Sequence, residues 1–137
     1  VCVSLMLDEV MKYNASERPV KMGTFSQYQA PEALHRYAEI ADLLNLGGKN
    51  DEEKLRRLIK KIDELKKDIE LPLTIQEAGI EEQAFLSSLK EMSLAAFNDQ
   101  CTGTNPRYPL VSELEEIYLK AYYGEKKYEK MKEEEQL

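Results

Sequence analysis

Apolar residues recur along the 137-residue chain at intervals of three to four, the spacing of one helix face, and no run alternates in steps of two. Leu5, Met6, Val10 and Tyr13 predict a first helix near 3–15, stopped before Pro19. Pro19, Gly23, Ser26 and Pro31 mark 16–31 as an irregular connector. A second helix is predicted over 31–45, with Pro31 suited to its first turn and Leu34, Tyr37, Ala38, Ala41 and Leu44 in one stripe. Gly47 and Gly48 are expected to stop it.

The third helix carries the strongest pattern. Asn50 and Glu53 have capping-box spacing; Leu55, Leu58, Ile59, Ile62, Leu65 and Ile69 line one face, and Lys60, Lys61, Lys66 and Lys67 the other. The run is shorter than three heptads, which favours a core-facing helix over a coiled coil. Pro72 ends it, and Thr74 with Glu77 caps a single turn closed by Gly79. A helix over 81–99 turns Phe85, Leu86, Leu89, Met92, Ala96 and Phe97 inward, and the composition of 100–111 reads as loop. Ser112 and Glu115 are expected to box the start of a last helix bearing Leu114, Ile117, Tyr118, Ala121 and Tyr122, with Gly124 as its cap. Residues 125–137 are almost all charged; they could extend a helix into solvent or fray, and the favoured reading is a mobile tail. The expected architecture is all-α, a bundle of about six helices over 1–124 followed by the charged tail 125–137.

Composition changes this picture little. A hydrophobic share of 42% is enough for a core, and the length suits one domain. The net charge of -7 repels phosphate backbones and argues against nucleic acid as a partner. No stretch approaches the roughly 18 to 20 apolar residues of a membrane span. The first residues, Val1 to Leu5, carry no basic leader, cleavage site or initiator methionine, which suggests a chain cut from a longer one. Cys2 and Cys101 are too far apart in sequence for a CxxC pair and read as two reduced thiols of a cytosolic protein.

Most catalytic constellations fail on counting. His35 is the only histidine, so HExxH and every two-histidine metal site are excluded. Glu32 and His35 make one ExxH step, but a di-iron bundle needs two. No GxSxG occurs, and Gly48-Lys49 lacks the rest of a phosphate loop. The loop 99–109 (DQCTGTNPRYP) is different, gathering a thiol, hydroxyls, an amide and a guanidinium between two helices. Two readings stand. Asn105 and Arg107 tie the loop to helix ends while Gly103 supplies a positive φ, or the loop faces a ligand cleft completed by something outside the chain. The residues alone thus describe a helical domain without its own active site.

The stretch 98–124 (NDQCTGTNPRYPLVSELEEIYLKAYYG) resembles the carboxy-terminal end of the bifunctional aldehyde–alcohol dehydrogenases. Residues 18–44 (RPVKMGTFSQYQAPEALHRYAEIADLL) and 3–14 (VSLMLDEVMKYN) are similar to the helical region of the same group, and CTGTNPRYP is shared with its iron-containing alcohol dehydrogenase relatives. The resemblance covers about 1–124 and implies the all-helical lobe of an iron-containing alcohol dehydrogenase. The parent would take acetyl-CoA to acetaldehyde and then ethanol in fermentation, in the cytoplasm. It would use NAD and Fe2+, the metal polarising a carbonyl while nicotinamide supplies hydride. The implied partners are the NAD-binding lobe of the same parent, an alcohol or aldehyde substrate, and further copies of the parent in filaments called spirosomes.

The family's iron ligands, an aspartate and three histidines, would all lie upstream of Val1. The resemblance therefore assigns no catalytic, metal or cofactor residue to this segment, which is expected to be inactive alone. It does imply that Cys101 and Thr102 line the substrate side of the cleft. One departure stands at the start, where Cys2, Val3 and Ser4 replace a typical Ala-Asn-Ala. The alternative function is a free-standing acidic helical interaction module.

Overall fold

A computed structural model describes residues 1–16 and 32–135. Its elements are α1 (Cys2–Asn14), α2 (Ala33–Leu43), α3 (Asp51–Asp68), α4 (Glu82–Asn98), α5 (Val111–Tyr123) and α6 (Glu125–Glu135), with one 3₁₀ turn at Thr102–Thr104. The all-α expectation of about six helices holds, although the sixth helix is formed by 125–135 while 74–79 makes only a turn, and no strand occurs among the described residues. The expected connector 16–31 lies, apart from Ser16, outside the described residues, as do Pro31 and the tail residues 136–137.

Helix ends follow local chemistry, though not always at the anticipated residue. Asn50 accepts the Glu53 N–H at 2.8 Å, and the Glu53 carboxylate accepts the Lys49 N–H at 2.9 Å, one residue before the position that a capping box uses. The stop after α2 is Asn45 rather than Gly47 or Gly48. Asn45 takes φ 54°, and the Leu46 N–H reaches back to the Ala41 carbonyl at 3.0 Å. Asparagine tolerates this left-handed conformation because its short side chain crowds the backbone little. The same closure ends α3, with Glu70 at φ 57° and the Leu71 N–H on the Lys66 carbonyl at 2.8 Å. The turn foreseen at Thr74 forms as expected, the Thr74 hydroxyl accepting the Glu77 N–H at 3.0 Å.

The start of α5 corrects the sequence expectation. Glu113, not Glu115, reaches back, accepting the Leu110 N–H at 2.8 Å, so the helix opens at Val111 ahead of Ser112. The carboxylate also meets Arg107, a partner that the local sequence does not reveal. At the far end Gly124, at φ 81°, breaks α5 and lets α6 begin immediately.

Two apolar clusters hold the helices. In the first, Met11 and Ala15 of α1 and its C-terminus meet Ala41 of α2 and Leu55 and Leu58 of α3. In the second, Phe85 of α4 meets Tyr122 and Tyr123 of α5 and Tyr128 of α6. Phe85 and Tyr122 stack with ring centroids 4.2 Å apart. Tyr123 donates its hydroxyl to Glu82 at 2.5 Å; burial and that carboxylate push its pKa up to about 12. The residues of 125–135 are thus an ordered helix rather than a mobile tail: Tyr128 buries its ring in this cluster, and Lys12 of α1 binds Glu125 at 2.8 Å. Charge density alone does not reveal such an anchor, because a single aromatic residue supplies it.

Four face assignments also change. Leu65 and Ile69 of α3 are exposed, as is Leu86 of α4. Lys66, expected on the solvent face of α3, is only 3% exposed. Its Nζ lies 2.5 Å from Asp8 Oδ2 on α1 and 3.6 Å from Asp63 Oδ1. The reason is tertiary: α1 lies against that side of α3 and brings an anion with it.

Candidate functional site

The loop between α4 and α5 begins with a local knot. The Cys101 N–H donates to Asp99 Oδ1 at 2.7 Å, the Thr102 hydroxyl to the Ala96 carbonyl at 2.5 Å, and the Thr104 hydroxyl to the Cys101 carbonyl at 2.7 Å. Gly103 does not take a positive φ, contrary to expectation, because the loop passes this point in an ordinary 3₁₀ turn. Cys101 is an exposed free thiol. A hydrogen bond to Asp99 and that carboxylate's charge push the thiol pKa up.

Farther along, the loop is tied to the end of α1. Asn14 and Asn105 exchange amide hydrogen bonds: Asn105 Nδ2 donates to Asn14 Oδ1 at 2.7 Å, and Asn14 Nδ2 to Asn105 Oδ1 at 3.1 Å. Asn105 Nδ2 also donates to the Arg107 carbonyl at 2.6 Å. Arg107 sends Nη1 to the Tyr13 carbonyl at 3.1 Å and Nη2 to Glu113 Oε1 at 2.7 Å, and its guanidinium lies 3.9 Å from the Tyr13 ring centroid. The Tyr13 hydroxyl closes the circuit on Glu113 Oε2 at 2.8 Å. Burial opposes the Glu113 charge, but the Leu110 N–H, the Tyr13 hydroxyl and Arg107 outweigh it and hold the carboxyl below its usual range. Burial and the Glu113 hydrogen bond push the Tyr13 hydroxyl upward. The helix-tying role anticipated for Asn105 and Arg107 is therefore present.

On one side of the Tyr13–Arg107–Glu113 circuit lies a mainly apolar pocket of about 250 Å³, lined by Val10 and Tyr13 of α1, Cys101, Thr102, Asn105 and Pro109 of the loop, and Leu114 and Ile117 of α5. Cys101 and Thr102, the two residues to which the resemblance gives a place on the substrate side, both lie on its wall. On the other side is a polar basin of about 320 Å³ whose lining includes Lys12, Lys120, Glu9, Glu116 and Glu125. Sequence reasoning did not find the α1 and α5 contributions. Glu113 lies three residues after Leu110, a usable signal, whereas Val10, Leu114 and Ile117 read only as apolar stripe.

No three His, Cys, Asp or Glu residues among those described converge in a way that could hold a metal ion. His35 sits exposed on α2, with Nδ1 2.9 Å from Asp51 Oδ2 and Nε2 3.8 Å from Glu39 Oε1. Iron therefore fits no donor set among the described residues. No helix among them is long and apolar enough to cross a membrane.

A helical lobe with a pocket walled by a tethered CTGTNPRYP loop defines a class, and comparison with known proteins specifies it. Residues 1–122 match the C-terminal part of the Fe-containing alcohol dehydrogenase family, and the chain belongs to that family. It is 49% identical over 119 residues to an aldehyde-alcohol dehydrogenase of Clostridium acetobutylicum, covering 87% of this chain and 14% of that protein. Against the bifunctional aldehyde-alcohol dehydrogenase of Escherichia coli K12 the identity is 46% over 123 residues, again 14% of the relative's length. An NADPH-dependent butanol dehydrogenase of Clostridium saccharobutylicum is 38% identical over 98 residues, covering 72% of this chain and 25% of that protein. The chain thus spans a small fraction of these relatives.

Proposed function

We propose that this chain is the helical C-terminal part of an alcohol dehydrogenase that uses NAD and iron within a bifunctional aldehyde–alcohol dehydrogenase, and that it turns over no substrate alone. The parent's sequence of reactions runs from acetyl-CoA through acetaldehyde to ethanol, in the cytoplasm, with the NAD-binding lobe of the same parent as the chief partner and a homo-oligomer or filament as the assembly. The family match over 1–122 supports the parentage. A free-standing interaction module would have no reason to share 46% and 49% identity with two such enzymes.

The single observation that carries the site reading is the apolar pocket beside Cys101 and Thr102. The chain's own contribution is to wall the substrate. Val10, Pro109, Leu114 and Ile117 offer an apolar surface for an alkyl group and exclude water from it. Asp99 keeps the proton on Cys101, so this thiol packs against substrate as a neutral group and does not attack it.

The test is a chimera in which this chain replaces the corresponding segment of the Clostridium acetobutylicum relative. NADH-dependent reduction of acetaldehyde by the chimera is expected, with NADPH assayed in parallel because one relative's name carries that cofactor. Cys101→Trp in the chimera should raise KM for alcohols, or shift the preferred chain length, while the helical signal persists. Unchanged kinetics would remove Cys101 from the substrate wall. Turnover or tight Fe(II) binding by the isolated chain would overturn the non-catalytic reading.

A further inference from the structure

Tyr13 and Ile117 line both cavities, and Arg107 and Glu113, which hold Tyr13, line the polar basin. Three properties mark the circuit of Arg107, Tyr13 and Glu113. First, it is well buried: the Arg107 and Glu113 side chains are 16% and 19% exposed, whereas most pairs on α2, α3 and α6 lie in solvent. Second, it is planar and multiply bonded. The guanidinium stacks on Tyr13 while donating to a backbone carbonyl and a carboxylate, a combination that lysine cannot reproduce. Third, it joins three elements, the end of α1, the loop and the first turn of α5, and adds a charged link to the neutral Asn14–Asn105 pair.

We propose that Arg107, held by Tyr13 and Glu113, is a positioning residue that fixes the Cys101–Thr102 wall of the apolar pocket and seals that pocket from the polar basin. This rests on the reading of the pocket as a substrate wall and goes beyond it by assigning specificity to residues that face the basin side. Arg107 fixes the loop through the backbone: the Asn105 side chain grips the Arg107 carbonyl at 2.6 Å and, through Asn14, the end of α1. If the guanidinium loses its stack on Tyr13, the Glu113 hydrogen bond alone holds the ring, and the seal between the cavities loosens. Because these groups act through the shape of the pocket, their loss weakens binding of substrate and transition state alike.

The experiment compares the wild-type chimera with Arg107→Lys and Glu113→Gln, measuring melting temperature, KM and kcat for ethanol and 1-butanol. Glu113→Gln keeps an oxygen for the Leu110 N–H and the Tyr13 hydroxyl but turns an NH2 donor toward Arg107 Nη2, so it breaks the Arg107 contact while keeping the helix cap, and retains the fold if Arg107→Lys does not. The expected result is a KM raised about tenfold in Arg107→Lys, and less in Glu113→Gln, with kcat nearly unchanged and melting temperature close to wild type. An unchanged KM in both folded variants would overturn the proposal. So would KM and kcat deteriorating only in step with melting temperature, the mark of a merely structural role. A wild-type chimera without turnover would instead overturn the functional reading beneath it, which separates the two failures.

Discussion

Replacing Lys66 with methionine tests the least anticipated feature of the fold. Lys66 is 3% exposed, its ammonium group 2.5 Å from Asp8 Oδ2, and Asp8 Oδ1 is itself buried without a hydrogen-bond partner. Asp63 stands 3.6 Å away from the same ammonium. Burial raises the Asp63 pKa, and the neighbouring Asp8 adds to the shift against the pull of Lys66. Methionine fills nearly the same volume, so packing changes little and the lost quantity is electrostatic. Leaving a buried charge without its partner costs about 3–5 kcal/mol. The methionine side chain offsets part of this by burying apolar surface, so a net loss of about 2–4 kcal/mol is expected. For a domain of this length that corresponds to a melting-temperature drop of roughly 6–16 °C.

Urea unfolding at pH 7, followed by circular dichroism at 222 nm, measures the change. The companion variant Asp8→Asn with Lys66→Met removes both charges and should recover most of the loss, since a neutral pair has no orphaned ion. The pH dependence has a definite sign. A carboxyl whose folded pKa is raised binds its proton more tightly when folded, so its contribution favours folding at low pH and fades as pH rises through the folded value. The deficit of Lys66→Met should therefore narrow as the pH falls toward 4 and Asp63 takes up its proton. A variant within about 1 kcal/mol of wild type at pH 7 would show that α1 and α3 are held by apolar packing alone.

Two further outcomes follow from the same reasoning. Tyr128→Ala should detach α6 from the second cluster at a cost of about 3 kcal/mol, read as loss of hydrogen-exchange protection confined to 125–135; protection that persists would mean that the Lys12–Glu125 pair is sufficient. The hydrogen bond to Asp51 and that carboxylate's charge raise the His35 pKa above 6.5, so its contribution to stability is complete below pH 6.5 and is lost as pH rises through the folded value. His35→Gln should flatten the urea midpoint between pH 6 and 8, and a wild-type profile already flat there would refute the assignment.

Much of this protein is legible in one dimension. Helix positions follow from apolar spacing, and the ends at Asn50, Thr74 and Gly124 follow from side chains that satisfy or release the backbone within three residues. The chemistry of the 99–109 loop is also visible, because a thiol, an amide and a guanidinium stand out in a short connector. These are short-range effects, in which every partner lies within one turn of its neighbour. What folding alone decided depends on residues far apart in sequence. Lys66 lies inside because α1, 58 positions earlier, brings Asp8 to it. Residues 125–135 are helical and packed because Tyr128 finds Phe85, Tyr122 and Tyr123. The cap of α5 moves to Glu113 because Tyr13 and Arg107 already hold that carboxylate, and the same three groups turn a tethered loop into the wall of a pocket. Buried charges and pocket walls are set by what the third dimension places opposite a side chain, and spacing along the chain carries no record of that.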